Sequence, residues 1–329
     1  MPAEVAVVGA GVNGLAAAHA LAQAGREVVV YEQFELGHSR GSSHGATRIF
    51  RLAYPEEKWV RLSLEALEGW RRLEEESGEE LLALHGLLEM VRDPSQSSQK
   101  ALLDCGVSCE ALTAEEAERR FGVRPANGAL ILFQPDAGIV YAERALRALA
   151  RGLRIVERRR IDSLEDVPEP VVVVTAGPWA RGLLGRAGID LPVVETCETV
   201  AYFRLEGDVP SVFAEVQTRG HSFYSLADPV YGLKVGRHMR GGPADPDQAW
   251  EADGTTIREI AEWTSERFPR ADPDPVHAEA CFYTTTDDER FILERHGRIV
   301  VGSACSGHGF KFAPAVGKRV AALAIEALG

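Results

Sequence analysis

The apolar residues fall into short unbroken runs separated by stretches of helical period. Val5-Ala6-Val7-Val8 is the first run and Val28-Val29-Val30-Tyr31 the second. Runs of this length without alternation predict strands covered on both faces, as in a parallel sheet layered with helices. The alanine-rich stretch between them, ending at Ala24-Gly25, predicts a helix. A third run, Val171-Val172-Val173-Val174, leads into Thr175-Ala176-Gly177 and predicts a buried strand ending in a glycine turn. Trp59, Leu62, Ala66, Leu67, Trp70 and Leu73 recur at helical spacing, which predicts an amphipathic helix over residues 57–77 with its aromatics in the core.

The same reading predicts strands over 86–91, 153–156 and 298–302, an alternating strand-rich region over 193–238, and helices near 96–104, 138–150 and 255–268. Thr113-Ala114-Glu115-Glu116 reads as a capping box, and Pro314 suits the first position of a closing helix that reaches 328. Residues 34–51 read as one long polar, glycine-rich loop, a length that points to function. Helix-rich and strand-rich segments interleave, so a second lobe inserted into the first in two pieces is expected.

The turn after the first strand is Gly9-Ala10-Gly11-Val12-Asn13-Gly14. Gly9 allows the tight turn, Gly11 lets a pyrophosphate approach the backbone, and Gly14 lets the helix pack on the strand. The helix start offers free N–H groups to phosphate. Glu32 closes the second strand about 20 residues on, where a carboxylate bonds a ribose hydroxyl. An adenine dinucleotide follows from this pattern, with NAD and FAD both open at this point.

At 329 residues, 45% hydrophobic and 26% charged, the chain has the make-up of a soluble globular protein with room for two lobes. No apolar run reaches the roughly 20 residues that span a bilayer. No signal-like segment precedes Val5, so a cytoplasmic protein is expected. The net charge of −13 argues against a nucleic-acid partner. The five cysteines are scattered, without metal-ligand spacing, so free thiols and no metal are expected.

The remaining chemistry-bearing segments are Ser42-Ser43-His44-Gly45-Ala46-Thr47-Arg48-Ile49-Phe50-Arg51, Thr175-Ala176-Gly177-Pro178-Trp179, Gly232-Leu233-Lys234-Val235-Gly236-Arg237-His238, Cys281-Phe282-Tyr283-Thr284 and Gly307-His308-Gly309-Phe310-Lys311-Phe312. In this order, and together with the glycine turn, they resemble the monomeric sarcosine oxidase and N-methyltryptophan oxidase family of D-amino-acid-oxidase-like flavoenzymes, over nearly the whole chain. The resemblance implies FAD and not a nicotinamide. It implies an α/β fold in which a Rossmann-like FAD-binding domain (residues 1–80, 138–190 and 284–329) interleaves with an α+β substrate domain built on an antiparallel sheet (81–137 and 191–283).

Residue by residue, the resemblance implies that Cys281 bonds the flavin 8α-methyl carbon through its sulfur. It places Lys234 near flavin N5, where a positive charge favours electron transfer to O₂, with Arg48 as a further cation. Arg51 and Lys311 would clamp the substrate carboxylate. Tyr224, His238 and Tyr283 would line the amine pocket. Gly9, Gly11, Val12, Asn13, Gly14, Glu32, Gln33, Ser42, Ser43, His44, Arg48, Ile49, Thr175, Ala176, Gly177, Trp179 and the turn Gly307, His308, Gly309, Phe310, Lys311 would hold the cofactor. Residue type alone leaves other readings open: Cys281 as a buried structural thiol, Lys234 as a solvated strand lysine, Arg51 in a salt bridge to a nearby Glu, His238 and His308 as structural residues, Cys305 as core.

The chain departs from the family pattern at Ala46, where an acid is usual, at Arg237, where an aromatic is usual, and in ending at Gly329. The activity implied is oxidation of the C–N bond of a secondary amino acid to an imine, with O₂ reduced to H₂O₂, by a monomer or small homo-oligomer. Rival readings are a flavin dehydrogenase with another electron acceptor, a glycine- or D-amino-acid-oxidase-like enzyme, a nicotinamide-dependent dehydrogenase on the same glycine turn, and a non-catalytic FAD-binding subunit.

Overall fold

Val5–Val8 sits in the middle of a six-stranded sheet, with Val28–Tyr31 on one side and Val171–Val174 on the other, both parallel to it. Arg154–Val156 extends the sheet at one end. At the other, Ile299–Ser303 runs parallel and Ile292–His296 returns antiparallel as the edge. The computed structural model describes residues 3–207, 209–216, 221–239 and 241–329. The alternation of a strand's side chains explains why the runs are continuous. Val5 and Val7 pack with Ala16, Ala17, Val316 and Val320 of the helices Val12–Gln23 and Ala313–Leu328, while Ala6 and Val8 pack with Leu183, Leu184 and Leu191 on the opposite face. The two helices meet closely at Gly317, where a Cβ would lie 2.6 Å from the Ala16 carbonyl oxygen.

A second, eight-stranded sheet runs His277–Thr285, Val194–Arg204, Gly232–His238, His221–Asp228, Ser211–Val216, Leu87–Val91, Leu130–Gln134, Glu110–Leu112. All neighbours are antiparallel except Ser211–Val216 beside Leu87–Val91, which are parallel. Leu88, Phe203 and Phe223 on one face pack with Ala117 and with Ile260 and Trp263 of the helix Gly254–Arg267. The capping box forms as expected: Thr113 Oγ1 accepts the Glu116 N–H at 3.2 Å and the Glu116 carboxylate accepts the Thr113 N–H at 2.9 Å. No helix among the described residues is long and apolar enough to cross a membrane.

Three expectations need correction. The segment 138–150 is not one helix: Gly138–Tyr141 is a strand and the helix begins at Ala142. The β-branched pair Ile139-Val140 favours a strand, and a Cβ at Gly138 would run into the Ala83 carbonyl, so the close strand pairing requires glycine. The loop 34–51 ends in a strand, Thr47–Phe50, which pairs with Gly138–Tyr141, as does Leu82–Ala83. The region 193–238 does not alternate throughout, because residues 198–203 are buried without a break. Ala201 and Phe203 face the helix layer, while Val200 faces the cavity described below. Residues 208 and 217–220 of that region lie outside the described residues.

Candidate active site

One cavity of about 990 Å³ begins at the glycine turn and ends between the two sheets. Gly9 has φ +104°, and a Cβ there would lie 2.7 Å from the Thr175 carbonyl oxygen. Gly14 is held under the turn, where a Cβ would lie 2.6 Å from Thr175 Oγ1, so it packs the helix on the strand and does not line the cavity. The Val12 N–H points to Ser43 Oγ at 3.1 Å, and the first helical turn carries no acid. Glu32 is buried, accepting N–H bonds from Ala10 (2.8 Å) and Phe34 (2.9 Å), so it braces the turn as well as facing the cavity.

Every other candidate named from the sequence reaches this cavity, including Gln33, Ser42, His44, Ile49, Ala176 and Gly177. Trp179 does so with its indole N–H tied at 2.7 Å to Asp247, which also accepts from Arg160 Nη1 at 2.8 Å. His44 Nδ1 donates to the Gly41 carbonyl at 2.8 Å, and burial, helped by Arg48, lowers its pKa to about 4, so the ring is neutral.

Lys234 is not a solvated strand lysine. It is buried, its Nζ lies 3.5 Å from Glu279 Oε1, and Tyr202 donates its hydroxyl to the same carboxylate oxygen. Burial, reinforced by Arg48 and opposed by Glu279, lowers the Lys234 pKa to about 8. Burial pushes the Glu279 carboxyl upward, but Lys234 and the Tyr202 hydroxyl outweigh it and hold the group below its usual range. Arg48 is fixed by the carbonyls of Thr47 (2.9 Å), Ser42 (2.9 Å) and His44 and lies over the Phe310 ring.

Arg51 and Lys311, 260 positions apart in sequence, both line the cavity. Arg51 donates to the Ala53 carbonyl at 2.8 Å and lies between the rings of Tyr54 and Phe213. The acid facing Arg51 is Glu289, whose carboxyl interacts with it electrostatically without a close ion pair among the described residues. Lys311 is enclosed, and burial together with Arg51 holds its pKa well below the usual lysine range. His238 packs on Tyr283 at 5.6 Å, and burial lowers its pKa to about 3. Tyr224 and Tyr283 share a hydrogen bond, and Tyr224 lies over Gly236 where no Cβ would fit. Gly307, at φ +68°, likewise admits the rings of Tyr283 and His238.

Cys281 opens on the cavity from the strand His277–Thr285, and burial raises its thiol pKa to about 11. Cys305 is not core as expected: it is half-buried and lines the same cavity. Trp59, expected in the core, packs against it with one edge and faces the cavity with the other.

The family described as FAD dependent oxidoreductase (DAO) matches residues 4–323. The chain belongs to that family. The human peroxisomal sarcosine oxidase is 34% identical over an alignment covering 97% of this chain and 91% of the relative. The monomeric sarcosine oxidase of Bacillus sp. (strain B-0618) is 29% identical, covering 98% of this chain and 92% of its own. Among solved structures, the open form of NikD, an amino acid oxidase essential for nikkomycin biosynthesis, superposes with a TM-score of 0.86 at 29% identity, over 98% of this chain and 94% of NikD.

The cavity of this FAD-dependent oxidoreductase fits a dinucleotide on its own terms. The glycine turn supplies a backbone surface that side chains would block. The sequence reading did not assign roles to Glu279, Tyr202, Tyr54 or Asp247. Glu279 stood two residues before Cys281, but its pairing with Lys234 spans 45 positions and has no local signal.

Proposed function

We propose that this oxidoreductase oxidises the C–N bond of a secondary amino acid, an N-methyl or cyclic one, to the imine, with O₂ reduced to H₂O₂. The observation that carries the reading is the pair Arg51 and Lys311: two enclosed basic side chains that line one cavity, with burial and Arg51 working against the Lys311 ammonium. Two basic groups enclosed together repel, and an anionic substrate group bound between them offsets that cost and favours the Lys311 ammonium. Arg51 offers a fork and Lys311 a point charge, a combination suited to a carboxylate. The sarcosine oxidases among the relatives support the amine end of this assignment.

The glycine turn, the start of the helix Val12–Gln23 and Glu32 would hold the ADP half of FAD, and Cys281 would tether its ring as a thioether, the two hydrogens lost in forming that bond being taken up by the flavin and passed to O₂. When bound, FAD supplies the two-electron acceptor that the side chains lack, taking electrons from the C–N bond and passing them to O₂. Tyr224, Tyr283 and the neutral His238 form an aromatic wall that excludes water and receives the uncharged amine. Lys234 places a positive charge where O₂ gains electrons, and Arg48 adds to that field. The imine hydrolyses to an aldehyde and a primary amino acid when the N-methyl group is oxidised. The protein acts as a soluble cytoplasmic enzyme. A peroxide assay of the purified flavoprotein over sarcosine, other N-methyl amino acids, proline and pipecolate tests the reading. Turnover of amines lacking a carboxylate as fast as their carboxylate analogues would sink it.

A further inference from the structure

Lys311 stands at one end of a buried hydrogen-bond chain in which every proton can be placed. Its Nζ donates to the Tyr54 hydroxyl at 3.0 Å and to the His308 carbonyl at 2.7 Å. The Tyr54 hydroxyl also lies 3.3 Å from His308 Nδ1, and His308 Nε2 lies 3.1 Å from the Glu289 carbonyl oxygen. A carbonyl only accepts, so His308 Nε2 carries a proton. Burial, followed by the charge of Lys311, keeps the His308 pKa well below its usual value, so the ring is neutral and Nδ1 is bare. Nδ1 therefore accepts from Tyr54. Burial raises the Tyr54 pKa to about 12, so its single proton stays in place and points to His308. The Tyr54 oxygen then turns its lone pairs to Lys311 and to Arg51, which also hydrogen-bonds it.

Burial and Arg51 work against the charge of Lys311, and an anion bound beside Arg51 restores the ammonium, which has three N–H donors. Tyr54 and His308 take two, and the third corner of Nζ is left for the cavity that Lys311 lines. The chain's surroundings hold it rigid. His308 is packed by Trp59 (4.9 Å), Phe291 (5.1 Å) and Phe312 (5.6 Å), and the Trp70 indole N–H donates to the Lys311 carbonyl at 2.7 Å. Glu289 takes a left-handed backbone, φ +57°, in presenting its carbonyl to His308. Such a conformation in a residue other than glycine persists where the surroundings over-determine it.

We propose that Tyr54 and His308 are positioning residues for the carboxylate-binding lysine, aiming the one free N–H of Lys311 at the anionic end of the substrate beside Arg51. The proposal rests on the carboxylate-binding reading given above and adds the residues that set its geometry. The charged group facing Lys311 is Arg51, the titratable but neutral neighbours are His308 and His238, and the Glu289 carboxyl faces Arg51. The relay requires the neutral state of His308, which the buried site maintains.

The test uses the intact flavoprotein and short carboxylates, acetate and benzoate, with acetamide as the uncharged control; binding is read from the flavin absorption spectrum. Wild-type protein is expected to bind the carboxylates and not acetamide. If it binds neither, the carboxylate reading itself fails and the proposal falls with it. Given wild-type binding, Tyr54→Phe, which removes the acceptor shared by Lys311 and Arg51 and the donor to His308, is expected to weaken carboxylate affinity roughly tenfold, while His308→Leu leaves the Tyr54–Arg51 contact in place and isolates the arm through His308. His308→Leu is expected to match it, and His308→Asn, which restores an acceptor near the Nδ1 position, to recover most of the loss. Near wild-type affinity in the folded Tyr54→Phe and His308→Leu proteins overturns the proposal while leaving the substrate reading standing. A loss in His308→Asn equal to that in His308→Leu overturns it as well, because the defect would then be one of packing. In turnover the same variants are expected to raise KM for carboxylate substrates more than they lower kcat.

Discussion

Lys234 and Glu279 come from strands on either side of Val194–Arg204, with Nζ 3.5 Å from Oε1, and Tyr202 of the strand between them ties the same carboxylate oxygen. The pair explains how a lysine with only 4% of its surface exposed retains its charge. Desolvation works against the ammonium, Arg48 adds repulsion, and the carboxylate partly offsets both, leaving a pKa of about 8. The first prediction concerns this charge. Lys234 is an ammonium below about pH 8 and a neutral amine above it. Oxidation of the reduced flavoprotein by O₂, followed by stopped flow, is expected to slow as pH rises through that value. Glu279→Gln removes a group that raises the lysine pKa, so the fall is expected at lower pH. Lys234→Met is expected to slow the step by on the order of a hundredfold with substrate-driven reduction largely retained. Unchanged oxidation by air in Lys234→Met would remove the lysine from the proposed role.

Cys281 carries the second prediction. Its thiol pKa is raised to about 11, chiefly by burial, and the thiolate is the nucleophilic form. Covalent attachment of FAD to the freshly loaded protein is therefore expected to quicken as pH rises toward that value. Acid precipitation of the mature protein is expected to leave flavin in the pellet, and Cys281→Ser to release it to the supernatant. Cys305→Ser is expected to retain it, although Cys305 lines the same cavity. Flavin retained by Cys281→Ser and lost by Cys305→Ser would exchange the two assignments.

A third prediction concerns the glycine turn. With φ +104° and the Thr175 carbonyl oxygen 2.7 Å from where a Cβ would sit, Gly9 has no room for a side chain. Gly9→Ala is expected to cost about 1–3 kcal/mol of stability through strain and overpacking. Denaturant unfolding of the protein measures this, and the flavin-to-protein absorbance ratio is expected to fall with it. Gly25→Ala, at a helix end with open space around the Cβ, serves as the control for a positive-φ glycine outside the cavity.

The fourth prediction follows from Asp247, which joins the post-sheet segment to the dinucleotide end of the cavity. It accepts from Trp179 at 2.7 Å and from Arg160 at 2.8 and 3.1 Å, and these bonds, Arg160 first, lower its pKa to about 2. A carboxyl with a depressed pKa contributes its stabilisation above its unfolded value of roughly 3.9 and loses it as pH falls through the folded value. The clasp is thus intact at neutral pH and opens only in strong acid. In a Cys281→Ser background, Asp247→Ala is expected to speed FAD dissociation, read by the rise of free-flavin fluorescence. Equal dissociation rates would show that the clasp does not restrain the cofactor.

Much of this was legible in the chain. The strands Val5–Val8, Val28–Tyr31 and Val171–Val174 announce themselves because both faces are covered, which demands unbroken β-branched runs. The helix Glu57–Ser77 was legible in its apolar spacing, and the capping box at Thr113 in four residues. What was misread has a tertiary cause. Gly138–Tyr141 runs straight into the following helix in sequence, and its pairing with Thr47–Phe50 and Leu82–Ala83 secures the strand that the β-branched pair Ile139-Val140 favours. Trp59 follows the helical stripe faithfully, yet the stripe passes the cavity wall as well as the core.

Local sequence by itself determined the dinucleotide-type turn, since its geometry depends on residues within one strand, one turn and one helix. The ordered motifs determined the family resemblance. Tertiary structure alone decided that Lys234 is enclosed and paired with Glu279, that Arg51 and Lys311 line one cavity, and that Tyr54, His308 and Glu289 fix the protons around Lys311. The physical reason is range. Backbone conformation responds to near neighbours, whereas burial, charge and hydrogen-bond direction depend on which distant side chains the closed fold brings within a few ångströms.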